Sequence, residues 1–447
     1  MTDNQKQERE QILTKVANII DSFQLTEDVF LLGCLEKRVT VFKQQVRAHN
    51  LIWALGESRQ QNLPKKIVVV GGGLGGMTCA ACILSLFPKD TAVTILERHS
   101  DLCPYQQGCD IRWLHPKIYD WPKLGSRAPS ASLPVLNWSE GRASDVARTA
   151  LKSFGQYCDR FDSTGERLRV FLQTNSLRIE HAERKLQWKG AESKRQNAFF
   201  KICEDEREMN EQFNMIIVAS GFGLEKSSME VKCRSYWRNE EFGQPNIKST
   251  SENFLVSGYG DGALTDVCRL TIERFRQDTI LYELCGDKLR EIESKIRKDF
   301  AKMNGESLYS YFQSSKDSWL SEPLAKLVGR IRKDSKVVLN ARGASANDRI
   351  EKVFEPQSSF SNRMLTFLLL ECQALEICFL DLEESIAAHS VPAKNVICRH
   401  GCNTIEELQE MFYEHESLTE RFKELQSICP QVPELAWRPG VYPSITQ

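Results

Sequence analysis

The sequence has little that points outward. Lys plus Arg (59) nearly cancels Asp plus Glu (60) over 447 residues, leaving a formal charge of −1. That balance removes the electrostatic reason to expect nucleic acid or an anionic membrane surface as a partner. Long apolar runs are missing as well. The most apolar stretch, MLTFLLLECQALEICFLDLEE, is interrupted by Glu371 and Gln373 and reads as one buried core helix, not a membrane span. The opening MTDNQKQERE is too polar for a secretory leader. Fifteen cysteines are scattered without the spacing of a disulfide framework, and no second CxxC completes a zinc site with Cys79-x-x-Cys82. Repeats and low-complexity tracts are absent. The expectation is a soluble cytoplasmic protein of two or three domains without a metal centre.

What is present concentrates in KIVVVGGGLGGMTCAACILSLF, residues 66–87. A short apolar strand runs into Gly71-x-Gly73-x-x-Gly76, and a helix of small residues follows, ended by Pro88. The first glycine permits a tight turn, the second lets backbone approach a pyrophosphate, and the third lets helix and strand pack closely. The helix start then offers free N–H groups to the anion. A second strand, TAVTIL, ends at Glu97, 97 − 76 = 21 residues beyond the last glycine. That is where an acceptor for a ribose hydroxyl belongs, and a carboxylate there disfavours a 2′-phosphate. The ligand is therefore FAD or NAD. Gly71, Gly73, Gly75, Gly76, Glu97 and Arg98 are the candidate binding residues on this side.

Further on come strand-like runs at LRVFLQT, LRIEHAERKLQWK, NAFFKICE and FNMIIVAS, the last ending at glycines as IIVASGFG, and a further apolar strand ends in NFLVSGYGDG. In this order the elements resemble the glutathione-reductase-like FAD/NAD(P)-binding superfamily of flavoprotein oxidoreductases. The resemblance covers roughly residues 66–275. It implies a Rossmann-like FAD-binding domain with an inserted antiparallel meander. It also implies that Ala219-Ser220-Gly221 matches the family's A-T-G-like turn, and that Gly260, Asp261 and Gly262 match the Gly-Asp turn beside the flavin's ribityl chain. A second GxGxxG, frequent in members that hold NAD(P)H, is not found. NAD(P)H is then a transient reductant, or the flavin is reduced by its own substrate.

The implied architecture is α/β: an N-terminal helical segment (1–60), an FAD/NAD(P)-binding domain (65–280) with a substrate-side insertion near 99–150, and a mainly α-helical C-terminal domain (281–447). In the insertion, DLCPYQQGCDIRWLHPKIYDWP supports three readings. Cys103 and Cys109 could form a redox pair. Alternatively, Arg112, His115 and Tyr119 serve a small organic substrate, by holding a carboxylate and moving a proton. In the third reading the tryptophans merely anchor a loop. Elsewhere, Gln44, Gln45, Arg47 and His49 read as a solvated polar helix face. Arg342-Gly343 and Arg399-His400-Gly401 read as turns with a basic residue that could meet an anion. The function expected is hydride transfer between bound flavin and a small molecule or NAD(P)H. A regulatory or assembly protein with FAD or NAD as a structural ligand is the alternative, with the helical C-terminal region as the surface for a protein partner.

Overall fold

The computed structural model describes residues 3–35, 39–60, 62–196, 199–221, 235–245, 251–301, 307–341, 350–402, 404–428 and 435–443. The chain forms two compact units. Unit 1 takes 1–108, 130–223 and 403–447, and unit 2 takes 109–129 and 224–402. The expected divisions near 60 and 280 are not where the chain divides, because each unit is assembled from separated stretches.

Unit 1 begins with α1 (Asp3–Phe23), the hairpin β1 (Gln24–Thr26) and β2 (Val29–Leu31), and α2 (Val41–Arg59). The next elements are β3 (Lys66–Val70), α3 (Leu74–Leu86), β4 (Ala92–Leu96) and α4 (Pro104–Gln107). The short β5 (Trp113–Leu114) lies in the stretch given to unit 2. Then come β6 (Gly141–Arg142), α5 (Ala143–Phe161), β7 (Leu168–Glu180), β8 (Lys185–Gln196), β9 (Phe199–Ile202), β10 (Arg207–Gln212) and β11 (Met215–Val218). The main sheet runs β1-β2-β11-β3-β4-β7-β8-β10, with β9 on β8. From β2 to β7 every neighbour is parallel, while β8 pairs antiparallel with β7, β9 and β10. Counted from β3, the parallel strands follow the order 3-2-1-4 of a doubly wound dinucleotide fold.

The fifth position is filled by β2, from the N-terminal segment expected to be helical throughout. TEDVFLLGCLEK has apolar residues at helical spacing, but Asp28 takes a left-handed φ of 61° and Val29, Phe30 and Leu31 are all buried inside the sheet. A three-residue apolar run cannot be told from a helix turn by periodicity alone. Helix α3 lies close to the sheet because Cys79, Ala80, Ala81 and Cys82 are small and fully buried. Burial pushes both thiols well above their ordinary range, which leaves them inert packing residues.

Helix α2 is also not the solvated element expected. Gln45, Arg47, His49 and Asn50 are fully buried. Gln45 donates to Thr78 Oγ1 (3.2 Å) and Leu136 O (3.1 Å) and accepts from Trp138 Nε1 (2.6 Å). Asn50 Oδ1 accepts from Ala436 N at 2.9 Å. These bonds fasten the 131–138 loop and the C-terminal stretch onto α2, and buried polar groups need such partners.

Unit 2 has its own sheet, built from β12 (Glu252–Ser257), β13 (Ser335–Asn340), β14 (Leu375–Cys378) and β15 (Val396–Cys398). Its order is β14-β13-β12-β15 and all pairs are parallel, which is again 3-2-1-4 counted from β12. Helix α6 (Asp261–Thr271) follows β12, and α7 (Ile280–Cys285), α8 (Leu289–Phe300), α9 (Leu308–Ser315) and α10 (Ser321–Val328) precede β13. Helix α11 (Phe360–Glu371) follows β13, and α12 (Leu382–Ala388) follows β14. The region 281–447, expected to be mainly helical, thus carries three of these four strands. The long apolar run splits because Gln373 takes φ 55°, ending α11 before Leu375 starts β14. Among the described residues no helix is long and apolar enough to cross a membrane.

His49 gives unit 1 a defined pH response. Its Nδ1 donates to Gln45 O (2.7 Å) and its Nε2 accepts from Val135 N (3.3 Å), so a second ring proton would face an N–H. Burial lowers its pKa from 6.5 to about 4, against the small upward pull of the Gln45 carbonyl. The folded ring resists protonation, so its contribution is complete above pH 6.5 and is lost as pH falls toward 4. Unit 1 should lose roughly 3 kcal/mol over that window. Denaturant unfolding at stepped pH checks this, and His49→Gln should flatten the profile.

Candidate functional site

The candidate site in unit 1 starts where β3 stops. Gly71 has φ 112°, and a Cβ there would lie 2.4 Å from the carbonyl oxygen of Ala219, at the end of β11. Its amide donates to Leu96 O at 2.8 Å. A Cβ on Gly76 would lie 2.0 Å from Gly71 O. Both positions are glycine because backbone passes too close for anything else. Gly73 differs: φ is −70°, and nothing lies within 4 Å of where its Cβ would be. It is the N-cap residue of α3, with no side chain capping the helix. The first-turn amides of α3 therefore stand at an open, uncapped helix start. At Gly75 a Cβ would touch Leu32 (3.4 Å) and Gln44 (3.6 Å), so the N-terminal segment closes that flank.

Glu97 is buried beside this turn, accepting from Gly72 N (2.7 Å) and His99 N (2.9 Å). Arg98 donates to Tyr105 Oη at 3.4 Å, and the His99 ring packs edge-on against Tyr105. Gly221, at φ 75°, follows β11 with open space around it. Gly71, Gly73, Gly75, Gly76, Glu97, Arg98 and Gly221 all gather at the carboxyl edge of one parallel sheet, where α/β folds bind ligands.

Gly260, Asp261 and Gly262 belong to a different sheet. They lie in unit 2, between β12 and α6 of the second sheet. Asp261 Oδ1 accepts from Ser359 N and Asn362 Nδ2, each at 2.7 Å, and so ties the start of α6 to the start of α11. The Gly-Asp pair looked like the family's ribityl turn because both follow an apolar strand. Which sheet that strand joins is set by pairing far along the chain.

The substrate-side trio also lies in unit 2, and each member has internal partners. Arg112 Nη1 donates to Asp266 Oδ1 (2.5 Å), its Nε to Tyr236 O (2.9 Å), and its guanidinium covers the Tyr236 ring at 4.0 Å. Asp266 also receives Arg399 (2.8 Å) and Arg269 (3.2 Å). Burial works to raise its pKa, but Arg112, Arg399 and Arg269 outweigh burial and hold it well below the usual carboxylate range. His115 Nδ1 accepts from Lys117 N and Ile118 N, both at 3.1 Å, which closes a turn, and burial lowers its pKa. Tyr119 donates to Gln277 Oε1 (3.1 Å), and burial raises its pKa far above the ordinary value. These are the bonds of a loop anchor. Cys103 belongs to unit 1 and Cys109 to unit 2; burial raises both thiols, so neither is a ready thiolate. His400 Nε2 lies 2.7 Å from Ser257 Oγ, and Arg342-Gly343 falls outside the described residues.

One motif escaped sequence reading: Gly258-x-Gly260-x-x-Ala263. Gly258 has φ 114°, its Cβ position lies 2.3 Å from Arg399 O at the end of β15, and its amide donates to Asn340 O at 2.9 Å. Gly260 is the uncapped N-cap of α6, at φ −76° and ψ 176°, with nothing within 4 Å of its Cβ position. The N-cap of α3, Gly73, has φ −70° and ψ 178°. The signal was present, since alanine is tolerated in place of the third glycine.

No family model and no curated protein matches the chain. Solved structures do. One is the bacillithiol disulfide reductase from Bacillus cereus, 9% identical over 70% of this chain and 67% of that one, with a TM-score of 0.34. Another is the polycyclic ketone monooxygenase from the fungus Thermothelomyces thermophila, 12% identical over 60% of this chain and 43% of that one, with a TM-score of 0.26.

The two glycines of the first turn should behave differently. Gly71→Ala forces a left-handed φ and a backbone clash, and should cost about 2–4 kcal/mol. Gly73→Ala should stay within about 0.5 kcal/mol of the parent. Thermal and denaturant unfolding of the two variants checks the contrast.

Proposed function

We propose that the chain is an FAD-dependent oxidoreductase and that unit 1 holds the flavin dinucleotide. The open position at Gly73, at the uncapped start of α3 with the Glu97 carboxylate beside it, carries this reading. The residues fit such a ligand. The amides of the Gly71–Gly76 turn would receive the pyrophosphate, and Glu97 the adenosine ribose. Arg98 and Tyr105 would flank the adenine side, and the turn at Gly221 leaves room for backbone approach. The antiparallel extension β8–β9–β10 after the third parallel strand supports reading it as the insertion that the flavoprotein resemblance implies.

Bound flavin supplies the capacity to accept or release a hydride, and the protein's part is to position it and exclude water. Arg112, His115 and Tyr119 enter this reading as residues that shape unit 2, because their polar atoms are engaged within it. The reductant and the small organic substrate are the parts of the reaction that unit 1 alone does not name.

The absorbance spectrum of the purified protein tests the reading. The parent should show the two visible bands of oxidised flavin. Gly73→Val should be colourless while keeping its circular dichroism and unfolding midpoint. A colourless parent that retains NAD, or a Gly73→Val variant with full flavin occupancy, would contradict it.

A further inference from the structure

We propose that unit 1 carries, apart from its glycine turn, a docking cleft for an extended proline-rich segment of another protein. The cleft is argued from its own residues and rests on nothing in the flavin reading.

One wall is the loop with Leu133 and Pro134, and the other is the C-terminal stretch with Leu435, Trp437, Pro439 and Tyr442. Between them lies a cavity of about 550 Å³. Both walls hang on one row of buried polar groups in α2. Gln45 Nε2 donates to Leu136 O (3.1 Å), His49 Nε2 accepts from Val135 N (3.3 Å), and Asn50 Oδ1 accepts from Ala436 N (2.9 Å). Tyr442 Oη donates to His49 O, and the Trp437 ring packs on the His49 ring with centroids 4.7 Å apart. The Tyr157 hydroxyl shares its proton between Pro134 O (3.0 Å) and Pro443 O (3.2 Å), one carbonyl from each stretch.

The first wall is also bent by costly backbone. Ser132 and Leu136 take left-handed φ of 53° and 52° without being glycine. Such strain persists where the surroundings over-determine it, and it clusters at ligand clamps. The cleft is therefore built before anything enters, which spares a ligand the cost of ordering it.

The chemistry of the lining names the occupant. None of the residues lining the cleft is charged, and most of them offer ring or hydrocarbon faces. A charged ligand would lose water there and gain no partner. Trp437 and Tyr442 stand edge to face, with centroids 6.0 Å apart at 82°. Aromatic-lined grooves take polyproline II segments, which arrive already extended and lose little entropy on docking. Openness decides against a small molecule. Ser132, Leu435, Pro439 and Gly440 line the cleft and are all exposed, Leu435 at 52%. A small ligand needs most of its surface enclosed, whereas a peptide lies across a groove and keeps one side in water. Arg438, exposed between Trp437 and Pro439, makes the rim positive and favours acidic residues flanking the prolines.

The test titrates the full-length protein into fluorescein-labelled decaproline and follows fluorescence anisotropy, with a glycine–serine peptide of the same length as control. The parent should bind decaproline saturably and leave the control free. Leu435→Asp changes an exposed residue and should weaken binding about tenfold or more, with flavin content and unfolding midpoint at parent values. Trp437→Ala should weaken it further, and Pro439→Ala serves if Trp437→Ala unfolds. Decaproline flanked by glutamates should bind about two- to fivefold tighter than decaproline, and Arg438→Glu should reverse that preference. Gly73→Val should bind decaproline as the parent does, which separates a failure of this site from a failure of the flavin reading. Absent binding in the parent, or a folded Leu435→Asp that binds as tightly, overturns the proposal. So does self-association of the parent that Leu435→Asp abolishes, which gives the cleft to a second copy, or saturable binding of indole in place of decaproline.

Discussion

Unit 1 depends on an approach of backbone to backbone that only a hydrogen side chain permits. Where Gly71 would carry a Cβ, the carbonyl of Ala219 stands 2.4 Å away; where Gly76 would, the carbonyl of Gly71 stands 2.0 Å away. These two contacts bring β3, β11 and the start of α3 together at one point. Gly73 has no such neighbour, so packing inside the protein gives no reason for a bare residue there. Its Cβ position faces the open side, at the uncapped start of α3. The constraint that shapes the turn and the open helix start at Gly73 are adjacent but separable.

The rest of unit 1 supports that point from an unexpected direction. The strand beyond β11 is supplied by residues 29–31, and α2 follows it with its polar residues turned inward. Gln45, His49 and Asn50 hold a loop and the C-terminal stretch, while Leu32 and Gln44 close the flank at Gly75. The chain's first sixty residues are thus part of the dinucleotide fold. Unit 2 reaches the same strand order with a different supply of helices.

Local features were legible in the sequence, and features set by distant pairing were not. The glycine turn and Glu97 were readable because strand, turn, helix and strand follow one another within about thirty residues, the span of one βαβ unit. β2 was not readable, since a short apolar run has no period of its own. The Gly-Asp pair was visible, but its sheet is decided by β13, β14 and β15, all later in the chain. Arg112 looked available for a substrate because its carboxylate partner, Asp266, lies 154 residues away. A buried pair of this kind leaves no trace in local composition. His115 shows the same limit at short range: a ring nitrogen closing a turn and one moving a proton have the same sequence.

The central claim is that the first-turn amides of α3 are held open for a diphosphate. Amide hydrogen exchange across residues 70–77, with and without saturating FAD, tests it most directly. The account predicts slowed exchange at Gly73 through Gly76 when FAD binds, since the Met77 amide already bonds Gly73 O. Unchanged exchange there, with protection appearing only at other segments, would contradict it.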